Sequence, residues 1–109
     1  MTLTNEECNK RVEELFDRNK NLFLAKRIEY AKFNDPLKNF EDAANMSGAL
    51  PEEVLWFWCL KHIVSVKDII FNKRLNHVTK ELLEEKTGDI INYMILLNLI
   101  RDDKDKESK

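Results

Sequence analysis

The residues best suited to chemistry form a polar stripe in a segment that is otherwise apolar. Between residues 84 and 97, Glu85, Asp89 and Asn92 follow one another at i, i+4 and i+7, so they share one face of a helix. After Asp89 the segment is apolar almost all round, which is typical of a helix inside a core. A carboxylate there needs a partner, because burying it unpaired is strongly unfavourable.

A second polar stripe lies on the preceding predicted helix and consists of Lys61, Ser65, Asp68 and Asn72. The connection between the two helices is short, so we expect them to pack as an antiparallel hairpin. Because both helices rise equally per residue, Asp68 then lies level with Glu85, and Lys61 lies level with Asn92. The two stripes are therefore predicted to face each other.

Facing stripes would bring together the carboxylates of Asp68, Glu85 and Asp89, with the ammonium group of Lys61 at one end. Three carboxylates repel one another unless one takes up a proton or a cation lies between them. Mg²⁺ suits such a seam, since it accepts a few carboxylates and keeps water ligands for a phosphate. The stripes therefore predict a magnesium site. The structural alternative is that Lys61 pairs with Asp89 while Asp68 is solvated.

Two further residues lie beside this seam. A glycine inside a helix costs about 1 kcal/mol relative to alanine, so Gly88 indicates a place where another helix or a ligand approaches the backbone closely. His62 lies one residue off the stripe of the third helix. Its pattern favours a core or rim histidine, with a ligand or a general base as the alternative.

Composition places the chain among small, soluble, helical domains. Its 109 residues suffice for one core, and only two glycines and two prolines favour long helices over many short strands. A net charge of -2 gives no electrostatic case for nucleic acid, and no apolar run is long enough to cross a membrane. Cys8 and Cys59 have neither metal-ligand nor disulfide-framework spacing, and no signal peptide precedes them. We therefore expect reduced thiols and a cytoplasmic location.

Capping residues and prolines mark the helix boundaries. Thr4-x-x-Glu7 is a capping box that opens the first helix, which is expected to end near Phe33, before the turn Asn34-Asp35-Pro36. A short helix over residues 37–46 is expected to stop at Gly48.

The second half of the chain predicts two more long helices. Pro51 begins a third helix that runs to about Lys73, and Thr79 caps a fourth that fades at Arg101. The predicted fold is all-α: a small antiparallel helical bundle of three long helices and one short helix. Residues 1–101 form its single domain, and residues 102–109 are expected to be a charged, disordered tail.

Three aromatic side chains follow one another at Trp56, Phe57 and Trp58. They are expected to be mainly core residues, but three successive rings cannot all point the same way on a helix. At least one is therefore predicted to emerge on the outside, which favours a homodimer or another protein partner.

Several short motifs resemble those of small helical proteins from phages and prophages of low-GC bacteria. The motifs are Tyr30, Asn39-Phe40, Lys61-His62 and Glu85-x-x-x-Asp89-x-x-Asn92-Tyr93. Those proteins are similar in turn to the all-α nucleoside triphosphate pyrophosphatases, the MazG and dimeric dUTPase superfamily. The resemblance covers residues 10 to 101 and implies Mg²⁺-dependent cleavage between the α and β phosphates of a nucleotide.

The resemblance also implies roles for particular residues. Family members carry an E-x-x-E pair on one helix and an E-x-x-D pair on the next, and Glu85 and Asp89 stand at the second pair with one extra residue between them. The implied metal ligands, also catalytic, are Asp68, Glu85 and Asp89. Lys61 would act in catalysis by neutralising a phosphate. The implied nucleotide-binding residues are Lys61, His62 and Asn92.

Two functions of different classes follow. One is a dimeric, nucleotide-linked protein of the phage type, either a Mg²⁺-dependent pyrophosphohydrolase or a nucleotide binder that does not cleave. The other is a non-enzymatic helical module that binds a host or phage protein through its aromatic face. In the second case the polar seam only fixes the register of the helices.

Overall fold

The computed structural model of the chain describes residues 2–30 and 37–107, and these residues form helices and turns with no strand. The helices are α1 (Asn5–Tyr30), α2 (Lys38–Ser47), α3 (Pro51–Asp68) and α4 (Lys80–Glu107). Three are long and one is short, and they pack as a small bundle. The predicted all-α fold class is confirmed.

The start of α1 is capped as its sequence predicts. The hydroxyl of Thr4 accepts a hydrogen bond from the backbone N–H of Glu7 at 3.1 Å, and the Glu7 carboxylate accepts one from the Thr4 N–H at 3.4 Å. These bonds satisfy two of the donors that a helix leaves unpaired at its first turn. The predicted end near Phe33 and the turn at residues 34–36 lie outside the described residues.

The junction between α2 and α3 also follows the prediction. Gly48 has a left-handed φ of 77°, and its N–H donates to the carbonyl of Ala44 at 2.9 Å. Pro51 is the first residue of α3, and the Glu53 carboxylate accepts a hydrogen bond from the Leu50 N–H at 2.8 Å. Glycine and proline therefore end one helix and begin the next within four residues.

The connection from α3 to α4 is tight. A π-helical turn, Ile69–Lys73, continues α3 to the predicted end, and a single 3₁₀ turn follows at Leu75–His77. The Thr79 hydroxyl then accepts a hydrogen bond from the Leu82 N–H at 3.1 Å, which caps α4 as predicted.

The predicted end of the last helix is wrong. α4 continues beyond Arg101 to Glu107, so residues 102–107 are helical and not a disordered tail. Ion pairs account for the difference: Arg101 pairs with Asp105 one turn later, and Lys104 reaches Glu52 of α3 at 2.7 Å. Residues 108 and 109 lie outside the described part.

The buried core is small and is formed by three of the four helices. It contains Leu37 beside α2, Phe40 and Ala44 of α2, Val54 and Leu55 of α3, and Ile100 of α4. α1 contributes no side chain to this cluster in the described ranges and crosses α4 near Gly88. The chain is accordingly elongated, with extents of 51 × 29 × 24 Å.

Two further expectations concern the membrane and the cysteines. Within residues 2–30 and 37–107, no helix is both long and apolar enough to span a bilayer. The thiols of exposed Cys8 and buried Cys59 are both free, as expected.

Candidate functional site

The predicted antiparallel hairpin of α3 and α4 is present. Glu52 near the start of α3 contacts Lys104 near the end of α4, and His62 in the middle of α3 lies 3.4 Å from Asp89. Residues of the two helices therefore lie level with one another much as equal rise predicts.

The two polar stripes nevertheless do not face each other. His62, and not Lys61, points from α3 towards Asp89, while Lys61 is exposed. Successive residues of a helix are separated by about 100°, so an error of one residue moves the whole stripe off the facing surface. Lys61, Asp68 and Asn72 lie on a side of α3 that is turned away from α4.

The three carboxylates predicted to bind magnesium are separated. Asp68 accepts a hydrogen bond from Asn72 at 2.6 Å and lies 3.7 Å from the ammonium group of Lys73. Glu85 is exposed, and Asp89 has partners on two other helices. In the described part of the chain, no three acidic, histidine or cysteine side chains lie close enough together to hold a metal ion. The residues within one chain therefore do not fit the predicted magnesium site.

Asp89 lies between a histidine and a lysine. Its carboxylate is 3.4 Å from Nδ1 of His62 and 3.6 Å from Nζ of Lys26 in α1. The side chains of His62 and Asp89 are only 18% and 23% exposed, and the ring of His62 packs on Tyr93 with 5.3 Å between centroids. This half-buried His–Asp pair joins α1, α3 and α4, and it is the nearest approach to a catalytic dyad in the described residues.

Burial determines the protonation of this histidine. Loss of hydration lowers the pKa of His62, and the neighbouring Lys61 lowers it further, whereas the charge of Asp89 raises it. The imidazole is therefore neutral at pH 7 and can accept a proton or a hydrogen bond. The geometry does not identify a group on which His62 would act as a base.

α1 is held on α4 by a cluster that the sequence did not reveal. Glu84, the neighbour of predicted Glu85, pairs with Arg11 and lies 3.3 Å from Nε of Arg18. A second bond from Arg18 reaches the Glu84 carbonyl at 3.2 Å. The hydrogen bond from Arg11 and the charges of both arginines hold the pKa of Glu84 below its usual range. The sequence feature that could have revealed this cluster is the series of polar residues on α1 beside its apolar side, namely Arg11, Arg18 and Asn19.

Gly88 allows the close approach that its position predicts, and the approaching helix is α1. A Cβ atom at Gly88 would lie 2.9 Å from Oδ1 of Asn19 and 3.0 Å from Nη1 of Arg18. Both contacts are shorter than ordinary van der Waals contact, so a larger residue requires the side chains of Asn19 and Arg18 to shift. The glycine is accounted for by helix packing.

Asn92, predicted to bind a nucleotide, is buried in the helix interface. Only 9% of the residue is exposed, and its Oδ1 has no hydrogen-bond partner among the described residues. Asn92 is therefore buried, whereas Lys61, which was predicted to lie beside it in the seam, is exposed.

The prediction that the three successive rings are mainly core residues is wrong, although the expected exposure on the outside is present. Trp56 is 50% exposed, Phe57 65% and Trp58 39%, and Trp58 also packs on Phe40 with 5.2 Å between ring centroids. Val64 and Phe71 continue this exposed apolar surface towards the end of α3.

A cleft of about 420 Å³ lies at the open end of the hairpin, where α3 begins and α4 ends. Its walls include Ala44, Leu50, Ile100 and Lys104. None of the predicted site residues is among those that line it, so cleft and polar cluster do not form one site.

Comparison of the chain with protein-family models, with curated proteins and with solved structures gave no match. The resemblance to the nucleotide pyrophosphatases therefore remains a prediction.

Proposed function

We propose that this chain is a helical protein-interaction module that binds its partner through one side of α3. We call this side the outer face; it comprises Trp56, Phe57, Leu60, Ile63, Val64, Ile70 and Phe71. The observation that carries the proposal is the exposure of five large apolar side chains on this face, those of Trp56, Phe57, Val64, Ile70 and Phe71. Leu60 and Ile63 are partly exposed, and the exposed Lys67 lies among them.

The outer face is opposite the side of α3 that packs in the protein. Leu55, Cys59 and Ile69 are fully buried, whereas Phe57 and Phe71 are 65% and 67% exposed. Phe57, Leu60 and Val64 follow one another at spacings of three and four, the repeat by which one helix packs against another. A second helix is therefore the natural shape of a binding partner.

The exposed apolar surface of the outer face is on the order of several hundred Å², the size of the largest apolar patch on a typical monomer, which is often functional. A Phe or Trp side chain buries about 150–250 Å² when it is covered, and three of these rings are at least half exposed on the outer face. Covering the face stabilises a complex by about 25 cal/mol per Å² before the costs of association.

The polar contacts fit a structural role in such a module. Asp89 joins His62 and Lys26, and Glu84 joins Arg11 and Arg18, so each carboxylate ties α1 to the hairpin or to α4. Half-buried pairs of this kind fix which helix faces which. The Mg²⁺-dependent pyrophosphohydrolase has no comparable support, because its three acidic ligands lie apart within the described chain.

Site-specific crosslinking in cells that produce the protein tests the proposal. A photo-crosslinking phenylalanine derivative replaces Phe57 or Phe71 in separate variants, and Met46 of α2, which is 89% exposed, serves as the control position. We expect discrete protein adducts from both positions of the outer face and none from position 46. Absence of adducts from positions 57 and 71 would contradict the proposal.

A further inference from the structure

We infer that the partner of the outer face is a second copy of this chain, packed antiparallel along α3 with Lys61 of each copy beside Asp68 of the other. This identifies the partner within the proposed function and rests on it. Two molecules related by a two-fold axis bury the same surface of each, so that surface must be complementary to itself.

The accessible area of one chain is too large for a compact monomer. A folded monomer of 13.0 kDa is expected to expose about 6,300 Å², whereas this chain exposes 8641 Å². Its radius of gyration is 16.7 Å, compared with about 13 Å for a compact chain of this length. The excess of about 2,300 Å² is comparable with what one subunit buries in a large homodimer interface. Exposed apolar side chains of α1 and α4, such as Phe16 and Ile91, contribute to it together with the outer face.

The apolar residues place the two-fold axis near Val64. The outer face extends from Trp56 and Phe57 to Ile70 and Phe71, and its midpoint is at Ile63 and Val64. Two antiparallel copies bury its full length only when their midpoints coincide. Phe57 of one copy then lies level with Phe71 of the other.

The charged residues place the axis at the same point. Lys61 and Asp68 are seven residues apart, so they lie on one flank of α3, two turns from each other. In an antiparallel two-fold pair, this flank of α3 in one copy lies against the same flank of α3 in the other. The midpoint between Lys61 and Asp68 falls beside Val64. Each Lys61 therefore lies beside the opposite Asp68, giving two ion pairs, and the exposed Lys67 lies level with the same Lys61, nearer the middle of the outer face. In a parallel pair, Lys61 would instead lie level with Lys61 of the other copy, and Asp68 with Asp68 of the other copy.

Both charged residues are available for this contact. Lys61 is exposed, and Asp68 is 43% exposed in its side chain. Oδ1 of Asp68 accepts the hydrogen bond from Asn72, and Nζ of Lys73 lies 3.7 Å from Oδ2 of Asp68. A carboxylate has about four acceptor positions, so it can accept Lys61 of the second copy without losing either neighbour.

Sedimentation equilibrium of the full chain tests the interface. Phe71→Glu places a charge in the outer face, and Phe16→Glu makes the same change on α1, where Phe16 is 73% exposed. We expect a wild-type dimer at micromolar concentration, a dissociation constant raised by about tenfold or more in Phe71→Glu, and no change in Phe16→Glu. Melting curves show whether each variant is folded, and Val64→Glu provides a second variant of the same face.

Charge reversal tests the orientation. Lys61→Asp and Asp68→Lys are each expected to weaken the dimer by about fivefold or more, because the two-fold axis makes each lost pair occur twice. The double variant, which exchanges the two charges, is expected to restore the wild-type constant. Raising the salt concentration should reduce the effect of each single reversal.

The possible failures are distinguishable. If the wild-type protein is a monomer, the inference that the partner is a second copy is wrong. The proposed interaction module would still hold if positions 57 and 71 crosslink to a different protein. A dimer weakened by Phe16→Glu and not by Phe71→Glu overturns both the interface and the role of the outer face. A dimer in which the exchanged charges restore nothing overturns the antiparallel arrangement alone.

Discussion

Asp89 is the residue whose substitution distinguishes most clearly between a metal-binding role and a structural role. It lies between His62 and Lys26, so Asp89→Asn removes the charge that both contacts depend on. We expect a loss of about 1 kcal/mol in the free energy of unfolding, since Lys26 is half exposed and such pairs contribute little more. We also expect Mg²⁺ to leave the melting temperature of the wild type unchanged.

Denaturant unfolding with and without Mg²⁺ measures both effects, and Glu13→Gln is the control because Glu13 is exposed on α1 and is not one of the predicted metal ligands. A magnesium site would give the opposite pattern. Bound Mg²⁺ would raise the melting temperature of the wild type, and Asp89→Asn would stabilise the metal-free protein by relieving repulsion among carboxylates.

His62 makes stability depend on pH. Burial lowers its pKa below the value in the unfolded chain, so the unfolded state binds a proton more readily than the folded state. The contribution of His62 is therefore fully present above about pH 6.5 and is lost as the pH falls through the lowered pKa. We expect the free energy of unfolding to decrease between pH 7 and pH 5.

His62→Gln should remove much of that decrease, whereas Asp89→Asn should enlarge it, because Asp89 is the group that raises the pKa of His62. Unfolding curves across this pH range, with the imidazole followed by NMR, measure both variants. A slope unchanged in His62→Gln would show that another group causes the pH dependence.

The sequence predicted Asp89 to be a metal ligand, with pairing to Lys61 as the structural alternative, whereas its partners in the structure are His62 and Lys26. Lys61 and His62 are adjacent, and a rotation of about 100° about the axis of α3 decides which of them faces α4. That rotation depends on which apolar side chains are buried, and α3 is apolar on both its core side and its outer face. No periodicity in the sequence therefore fixes it.

At the scale of the helices, local signals were reliable. Capping by Thr4, Gly48 and Thr79 was predicted from residue type alone, because caps depend on bonds within a few residues. The packing of α1 was not predicted, since Arg11 and Arg18 contact a residue far along the chain. The length of α4 was missed for a similar reason: Lys104 is held by Glu52 of α3.

The crossing of α1 and α4 makes the effect of a Gly88 substitution depend on Asn19. Gly88→Ala gains up to about 1 kcal/mol in helix propensity, but its Cβ would lie 2.9 Å from Oδ1 of Asn19. In the wild-type background we expect the contact to cancel this gain or exceed it. In an Asn19→Ala background we expect Gly88→Ala to be stabilising.

A double-mutant cycle measured by chemical denaturation gives the coupling between the two positions. Thr87→Ala, one residue away on α4, is the control for changes in helix propensity that do not touch Asn19. Equal effects of Gly88→Ala in both backgrounds would show that α1 does not cross at this glycine.

At the scale of the whole molecule, the dominant feature is apolar surface that one chain does not bury. The exposed rings of Trp56, Phe57 and Phe71 are the basis of the proposal that a second helix packs against α3. The sequence predicted an exposed aromatic but not the length of the face. Only the structure separates the residues of α3 that enter the core from those that remain outside.

The solvent exposure of Trp56 tests the central claim most directly. Trp58→Phe leaves Trp56 as the only tryptophan of the chain, and quenching of its fluorescence by acrylamide reports whether the outer face is covered. We predict strong protection at high protein concentration, lost on dilution or in the Phe71→Glu variant as the dimer dissociates. Quenching that is equal at every concentration, and unchanged by Phe71→Glu, would contradict a covered outer face.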